Sequence, residues 1–174
     1  MASDLTKNGF WVRKMTVRFH AMNSKKDGVL TKADFDILIE RIIKIGKLND
    51  AQAERSRKLL AKLLPLFGGE TFKLTQEGFN DAAAKSSEGN YPVLLANEFF
   101  DILDTDADGI ISYNEWVVYF ESIGTDVQHA RPCFDALDTN KDGEISRSEF
   151  VDATVNFIRS RDESHPSRFL YGPV

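Results

Sequence analysis

The chain has 174 residues, enough to bury a real core as one compact domain or two small lobes. Its 27 acidic side chains outnumber 22 basic ones, which argues against nucleic acid as a partner and suits the capture of cations. No apolar run approaches the roughly 18 residues of a membrane span, the opening Met1-Ala2-Ser3-Asp4 lacks an apolar signal region, and the lone Cys133 excludes an internal disulfide, so a cytoplasmic protein away from membranes is expected.

Apolar spacing near 3.6 predicts an all-α chain, with helices over 5–22, 32–45, 50–65, 76–85, 92–103, 113–122, 127–137 and 147–160. Leu59, Leu60, Leu63 and Leu64 form a strong apolar face, and Pro65 is expected to stop that helix. Thr31 and Ser112 sit at helix starts as caps. The stretch Ser86 to Pro92 is rich in turn formers and reads as a linker between an N-terminal pair of units, 1–88, and a C-terminal pair, 91–174. The tail from Ser164 to Val174 has two prolines and a glycine and is not expected to be helical, but Phe169, Leu170 and Tyr171 are expected to pack it on the body. Cys133 reads as a small core residue.

Two acidic stretches carry the chemistry. The first is DTDADGIISYNE, from Asp104 to Glu115, and the second is DTNKDGEISRSE, from Asp138 to Glu149. Calcium is a hard cation that takes six to eight oxygens, and an EF-hand loop offers them from positions 1, 3, 5, 7, 9 and 12, with glycine at the sharp turn of position 6. Asp104, Asp106, Asp108, Ile110, Ser112 and Glu115 fill those positions in one loop; Asp138, Asn140, Asp142, Glu144, Ser146 and Glu149 fill them in the other. Positions 7 (Ile110, Glu144) would give backbone carbonyls and the closing glutamates bidentate carboxylates. The formal charge is −4 in the first of these loops, and −2 in the second, where Lys141 and Arg147 offset four acids.

The flanks repeat as well. Phe100 and Phe134, Leu103 and Leu137, Ile111 and Ile145, and Trp116 and Phe150 stand at equivalent places when the loops are aligned on Gly109 and Gly143. The same template recurs upstream through Phe19, Met22, Leu30 and Phe35, and again through Leu63, Leu66, Leu74 and Phe79. Four helix–loop–helix units in two pairs are therefore expected, packed into a compact globule. The first loop, NSKKDGVLTKAD, keeps Asp27, Gly28 and Thr31 but has Asn23 at position 1, Lys25 at 3 and the short Asp34 at 12, for a net charge of +1. Lysine has no acceptor oxygen, so position 3 cannot ligate; the short Asp34 would suit magnesium better than calcium, and the choice between an ion site and a metal-free structural loop stays open. The second loop, from Phe67 to Gly78, has no ligand at either end and reads as the pairing partner of the first, joined through Leu30 and Leu74.

Phe10-Trp11-Val12-Arg13-Lys14-Met15 and the closing Phe169-Leu170-Tyr171-Gly172-Pro173-Val174 resemble the opening and ending of the sarcoplasmic calcium-binding proteins of invertebrates, and the likeness extends over nearly the whole chain. That resemblance implies a cytosolic buffer of calcium and magnesium with no regulated target. Family members commonly use loops one, three and four; Asn23 and Lys25 depart from that pattern, so only loops three and four are carried over.

Three function classes compete: a buffer, a sensor that opens a groove for a target helix, and a binder of an aromatic luciferin such as coelenterazine, as in related four-EF-hand proteins. Sensors favour Met-rich grooves, and this chain has only Met1, Met15 and Met22, none in the C-terminal pair. The luciferin photoproteins pair a core His with a Trp four residues on, whereas His165 meets Phe169 at that distance and His20 meets Ser24. The histidines have no zinc spacing and no nucleophile elbow or phosphate loop occurs, so no enzyme is expected. The expected ligands are metal ions, calcium with magnesium in the same loops, bound by a monomer; a protein target or a small aromatic ligand is the less favoured reading.

Overall fold

Helix α1 covers Ala2–Leu5 and α2 covers Gly9–Met22, in a computed structural model that describes residues 2–174. The helix predicted over 5–22 is thus broken. Asn8 adopts extended backbone and its side chain accepts the Trp11 N–H at 2.8 Å, so a new helix is capped there. Met1, one of the three methionines, lies outside the described residues.

Helix α3, Lys32–Ile45, starts from a Thr31/Asp34 capping box and buries Phe35, Leu38, Ile39 and Ile42 on one stripe. Helix α4, Asp50–Leu63, starts from the reciprocal Asn49/Gln52 pair. Pro65 ends the α-helix, as its missing N–H dictates, yet the chain tightens into a 3₁₀ turn, Leu64–Phe67, before Gly68 reverses it at φ +108°. Helix α5 spans Gln76–Ser86 and α6 spans Tyr91–Leu103. Pro92 sits in the first turn of α6, where no N–H is needed, so the connection is shorter than the expected linker. Helix α7 is Tyr113–Ser122, α8 is Ala130–Leu137 and α9 is Arg147–Arg159. The helix expected over 127–137 is divided, because Val127–His129 form a 3₁₀ turn capped by Asp126.

Strand β1, Val29–Thr31, runs antiparallel to β2, Lys73–Thr75, and sets Leu30 opposite Leu74. Strand β3, Ile110–Ile111, runs antiparallel to β4, Ile145–Ser146, and sets Ile111 opposite Ile145. Each short ribbon ties one loop to another, so the expected pairing of units is present and the fold is all-α with two small sheets.

The apolar faces of the two pairs meet one another. A single buried cluster runs from Trp11, Phe19 and Phe35 to Trp116, Phe134 and Phe157. Helix α6 packs on α9 and α4, and α3 packs on α7. Polar pins cross the same boundary. Trp11 Nε1 donates to Ile158 O at 2.6 Å, and the buried Lys14 ammonium donates to Phe157 O and Ser160 O at 2.7 Å each, at the carbonyl end of α9. Arg55 donates to Asp104 O at 2.7 Å, and Arg159 donates to Ser87 O and Gly89 O. The tail forms a 3₁₀ turn, Pro166–Phe169, and then buries Leu170 and Tyr171, with the Tyr171 ring 5.1 Å from that of Phe157. Cys133 is a buried free thiol, in keeping with a core role, and burial pushes it up to about 11.

Candidate metal centre

The third and fourth loops share one backbone form. Position 4 is left-handed in both (Ala107 at φ 64°, Lys141 at φ 60°), and so is the glycine of position 6 (Gly109 at 93°, Gly143 at 89°). A non-glycine residue tolerates this region at a modest cost; at position 6 the turn would be strained by any side chain. The side chains of positions 1, 3 and 5 fold back on the loop. In the third loop Asp104 Oδ2 accepts the Gly109 N–H, Asp106 Oδ1 that of Asp108, and Asp108 Oδ1 that of Ile110. In the fourth, Asp138 Oδ2 accepts from Gly143, Asn140 Oδ1 from Asp142, and Asp142 Oδ1 from Glu144.

The third loop gathers its carboxylates. Asp104, Asp106 and Asp108 each offer a carboxylate oxygen within 4.8 Å of the others, the one group of its kind among the described residues. Loop four has Asn140 where the third loop has Asp106 and brings no three carboxylates so close. The fit to a cation rests on a further observation: Asp104 Oδ1 and Asp138 Oδ1 are both buried with no hydrogen-bond partner. A buried, unpartnered carboxylate oxygen is costly, and an ion relieves that cost. Burial, together with the charges of Glu115 and Asp108, pushes the Asp104 carboxyl above its usual range, against the pull of the Gly109 N–H and Arg55.

The closing glutamates are held inward by donors. Glu115 Oε1 accepts from Thr105 N and Oγ1 (2.7 and 2.9 Å), and Oε2 accepts from Ser112 N and Oγ (2.9 and 2.8 Å). Glu149 repeats this with Thr139 and Ser146 and adds the Asn140 N–H at 3.2 Å. Burial pushes the Glu149 carboxyl up, but the Ser146, Thr139 and Asn140 donors outweigh it and hold it at about 2. Ser112 and Ser146 serve twice, as position 9 of the loop and as N-cap of the following helix. The two threonines at position 2, outside the six ligand positions, hold the closing glutamates, and the repeated Asp-Thr of both loops is their signal in the sequence. Arg55 is legible only in three dimensions, since it reaches the third loop from α4.

Arg147 changes the charge count. Its Nη2 lies 2.6 Å from Asp101 Oδ1, on α6 and away from the loop interior, so it neutralises Asp101 rather than a ligand position. The fourth loop is accordingly more anionic than its sequence charge of −2.

The first loop has the same backbone form, with Lys26 at φ 56° and Gly28 at φ 80°. Its chemistry differs. Lys25 Nζ lies 2.9 Å from Asp27 Oδ2 and 3.6 Å from Asp34 Oδ2. The second loop has its left-handed residues at Gly68 and Gly69, buries Phe67 in the core, and takes no calcium-loop form.

One further polar group lies in the interior. Arg18 is buried, and its Nε and one Nη have no hydrogen-bond partner. The guanidinium stands over the Phe79 ring, and its charge eases the ionisation of Tyr91 and Tyr171, which burial disfavours more strongly. The cavity beside it, lined by Arg18, Leu66, Phe79 and Tyr91 among others, measures about 70 Å³.

Residues 94–155 match the EF-hand domain pair family. Over 97% of its length the chain is 29% identical to a luciferin-binding protein of Renilla reniformis, 97% of which is covered. The fold superposes on the calcium-loaded apo form of the coelenterazine-binding protein of Renilla muelleri with a TM-score of 0.86, at 28% identity, covering 96% of this chain and 97% of that one. A sarcoplasmic calcium-binding protein of Perinereis vancaurica tetradentata is 35% identical over 94% of the chain and 98% of its own length. Identity at that level over 94% of the chain identifies a calcium-binding EF-hand protein that belongs to the sarcoplasmic calcium-binding protein family.

Proposed function

We propose that the chain is a cytoplasmic calcium buffer that holds one ion in each of the third and fourth loops. Asp104, Asp106, Asp108, the Ile110 carbonyl, Ser112 and Glu115 would hold the first ion. Asp138, Asn140, Asp142, the Glu144 carbonyl, Ser146 and Glu149 would hold the second. The ion supplies positive charge to carboxylates that otherwise repel one another, and the reading involves no catalytic step. Magnesium would compete for the same oxygens in a smaller shell. The two pairs, 1–88 and 91–174, would act as one body.

The observation that carries buffer over sensor is the mutual cover of the two pairs. A sensor needs an apolar groove that can open to a target. Here each pair's apolar face is occupied by the other, and Trp11, Lys14, Arg55 and Arg159 pin the boundary with hydrogen bonds. Among the described residues the large apolar side chains that stay exposed are Leu94, Val127 and Val174. The test is ANS fluorescence and capture of an amphipathic peptide with and without calcium. A buffer leaves both unchanged; a large calcium-dependent rise in either would overturn the reading.

One observation favours a second reading, a carrier of a coelenterazine-type luciferin. Buried Arg18 with unpartnered nitrogens, beside the buried Tyr171 and the half-buried Tyr91, is a polar centre suited to an oxygen-bearing aromatic ligand. The adjoining 70 Å³ falls well short of the roughly 300 Å³ at which small-molecule pockets begin, so the core would have to open. Titration with coelenterazine decides: a saturable shift in its absorption, lost in Arg18→Met, would establish this reading, and no shift would remove it.

A further inference from the structure

We infer that the Lys25 ammonium is a built-in cation of the first loop, standing in for a metal ion, so that the loop holds its calcium-loop shape with no ion and the wild-type chain has two ion sites where its backbone offers three.

The first loop matches the third and fourth in its left-handed positions and in the bonds of positions 5 and 12, while near position 1 it differs, with the Lys26 N–H on Asn23 O and the Ser24 N–H on Met22 O. Positions 4 and 6 are left-handed in all three. Asp27 Oδ1 accepts the Val29 N–H at 3.0 Å, as Asp108 accepts from Ile110 and Asp142 from Glu144. Asp34 Oδ2 accepts from Thr31 N and Oγ1 at 2.9 Å each, as the closing glutamates accept from Ser112 and Ser146. Its Oδ1 accepts the Lys25 N–H, the counterpart of the Asn140 N–H that reaches Glu149.

The difference is what joins the two carboxylates. In an ion-holding loop, positions 5 and 12 are bridged by the metal. In the first loop Lys25 Nζ lies between Asp27 Oδ2 and Asp34 Oδ2, with the Asp34 side chain fully buried. A buried carboxylate needs a counter-charge or a set of donors, and the tethered ammonium supplies the charge without loss of an ion from solution. The position that brings this cation is the one that should have brought an oxygen. Lysine at position 3 therefore removes a ligand and occupies the space of the ion in one substitution. Asn23 Oδ1 at position 1 remains buried and unpartnered, as do its counterparts Asp104 Oδ1 and Asp138 Oδ1, so an inward-facing acceptor is retained. The short reach of the ammonium to Asp27 and Asp34 leaves that acceptor unused.

The inference rests on the two-loop reading for its baseline, and the test separates them. Native mass spectrometry counts calcium ions on the full chain, in wild type and in Lys25→Asp. Lys25→Asn is the second variant, because Asn140 already serves position 3 of the fourth loop. Each folded variant is expected to hold one calcium more than wild type. In EDTA, Lys25→Asp is expected to melt below wild type, and the increment in melting temperature on adding calcium is expected to exceed that of wild type. A folded variant whose count equals the wild-type count overturns the inference, whether that shared count is two or three. A wild-type count of three overturns it as well, because the third ion would sit in the first loop; a wild-type count below two bears separately on the third and fourth loops.

Discussion

Glu149→Gln perturbs the fourth loop in two ways that can be read apart. The wild-type carboxylate accepts five hydrogen bonds, from Thr139 N and Oγ1, Asn140 N, and Ser146 N and Oγ. Glutamine accepts on one oxygen alone and turns an NH₂ towards donors on the other side. Two charge-assisted bonds are then lost, at roughly 1.5–3 kcal/mol each when buried, and partial exposure of this side chain brings the total to about 2 kcal/mol. For a chain of this size that is about 4–8 °C in melting temperature, in EDTA, with no ion involved. Calcium adds the second effect. At a free concentration of 100 Kd, an ion bound only by the folded state contributes about 2.7 kcal/mol, and the variant forgoes it. The gap between wild type and variant should therefore grow from about 2 to about 5 kcal/mol on going from EDTA to calcium. Differential scanning calorimetry in both conditions reads the two gaps, and titration calorimetry should show one calcium fewer. An EDTA melt identical to wild type would refute the hydrogen-bond account of the closing glutamate. An unwidened gap with unchanged stoichiometry would refute the ligand assignment.

Other consequences follow from the same geometry. Asp104→Asn removes a buried negative charge that faces Glu115 and Asp108, so it should raise the melting temperature in EDTA while weakening calcium binding at the third loop by about tenfold or more, as ligand charge count sets affinity; a lower EDTA melt would contradict the repulsion argument. Burial holds Lys14 at about 8, below its ordinary 10.5, so between those values the unfolded chain binds a proton that the folded chain does not, and stability rises with pH through that window. Urea titrations should show the stability of wild type relative to Lys14→Met rising from pH 8 to 10.5, and a flat difference would place the ammonium in contact with water. Gly172 has φ +100°, and a Cβ there would lie 2.9 Å from Thr125 Cγ2, so Gly172→Ala should cost about 1–3 kcal/mol by urea unfolding. Adding Thr125→Ser removes that methyl and should return part of the loss; a double variant no more stable than the single one would leave only the backbone strain.

The loops were legible in the sequence because their chemistry is local. Six ligand positions, a mandatory glycine and a capping serine all fall within 12 consecutive residues, and the backbone form that unites them is set by those residues alone. The helices and the Leu30–Leu74 pairing were legible for a related reason, since apolar spacing records which side of each element is dry. What lies between elements was decided by packing. Lys14 and Arg18 are cationic side chains of α2, yet both are buried: α2 lies where Lys14 meets the carbonyl end of α9, 143 residues away at Phe157, and where Arg18 stands over the Phe79 ring. Trp11 and the Tyr171-Gly172-Pro173 ending were visible as end motifs, and the fold shows that Trp11 reaches Ile158 while Tyr171 packs on Phe157. Arg147 counted against the fourth loop until Asp101 of α6 claimed it. Lys25 could be read as a lost ligand, but only the folded loop shows its ammonium at the two carboxylates an ion would have joined. The sequence alone determined which short segments carry oxygen donors at the spacing of a calcium loop, because that pattern is contiguous; the tertiary structure decided which charges reach them, because a long side chain's partner depends on where neighbouring helices pack.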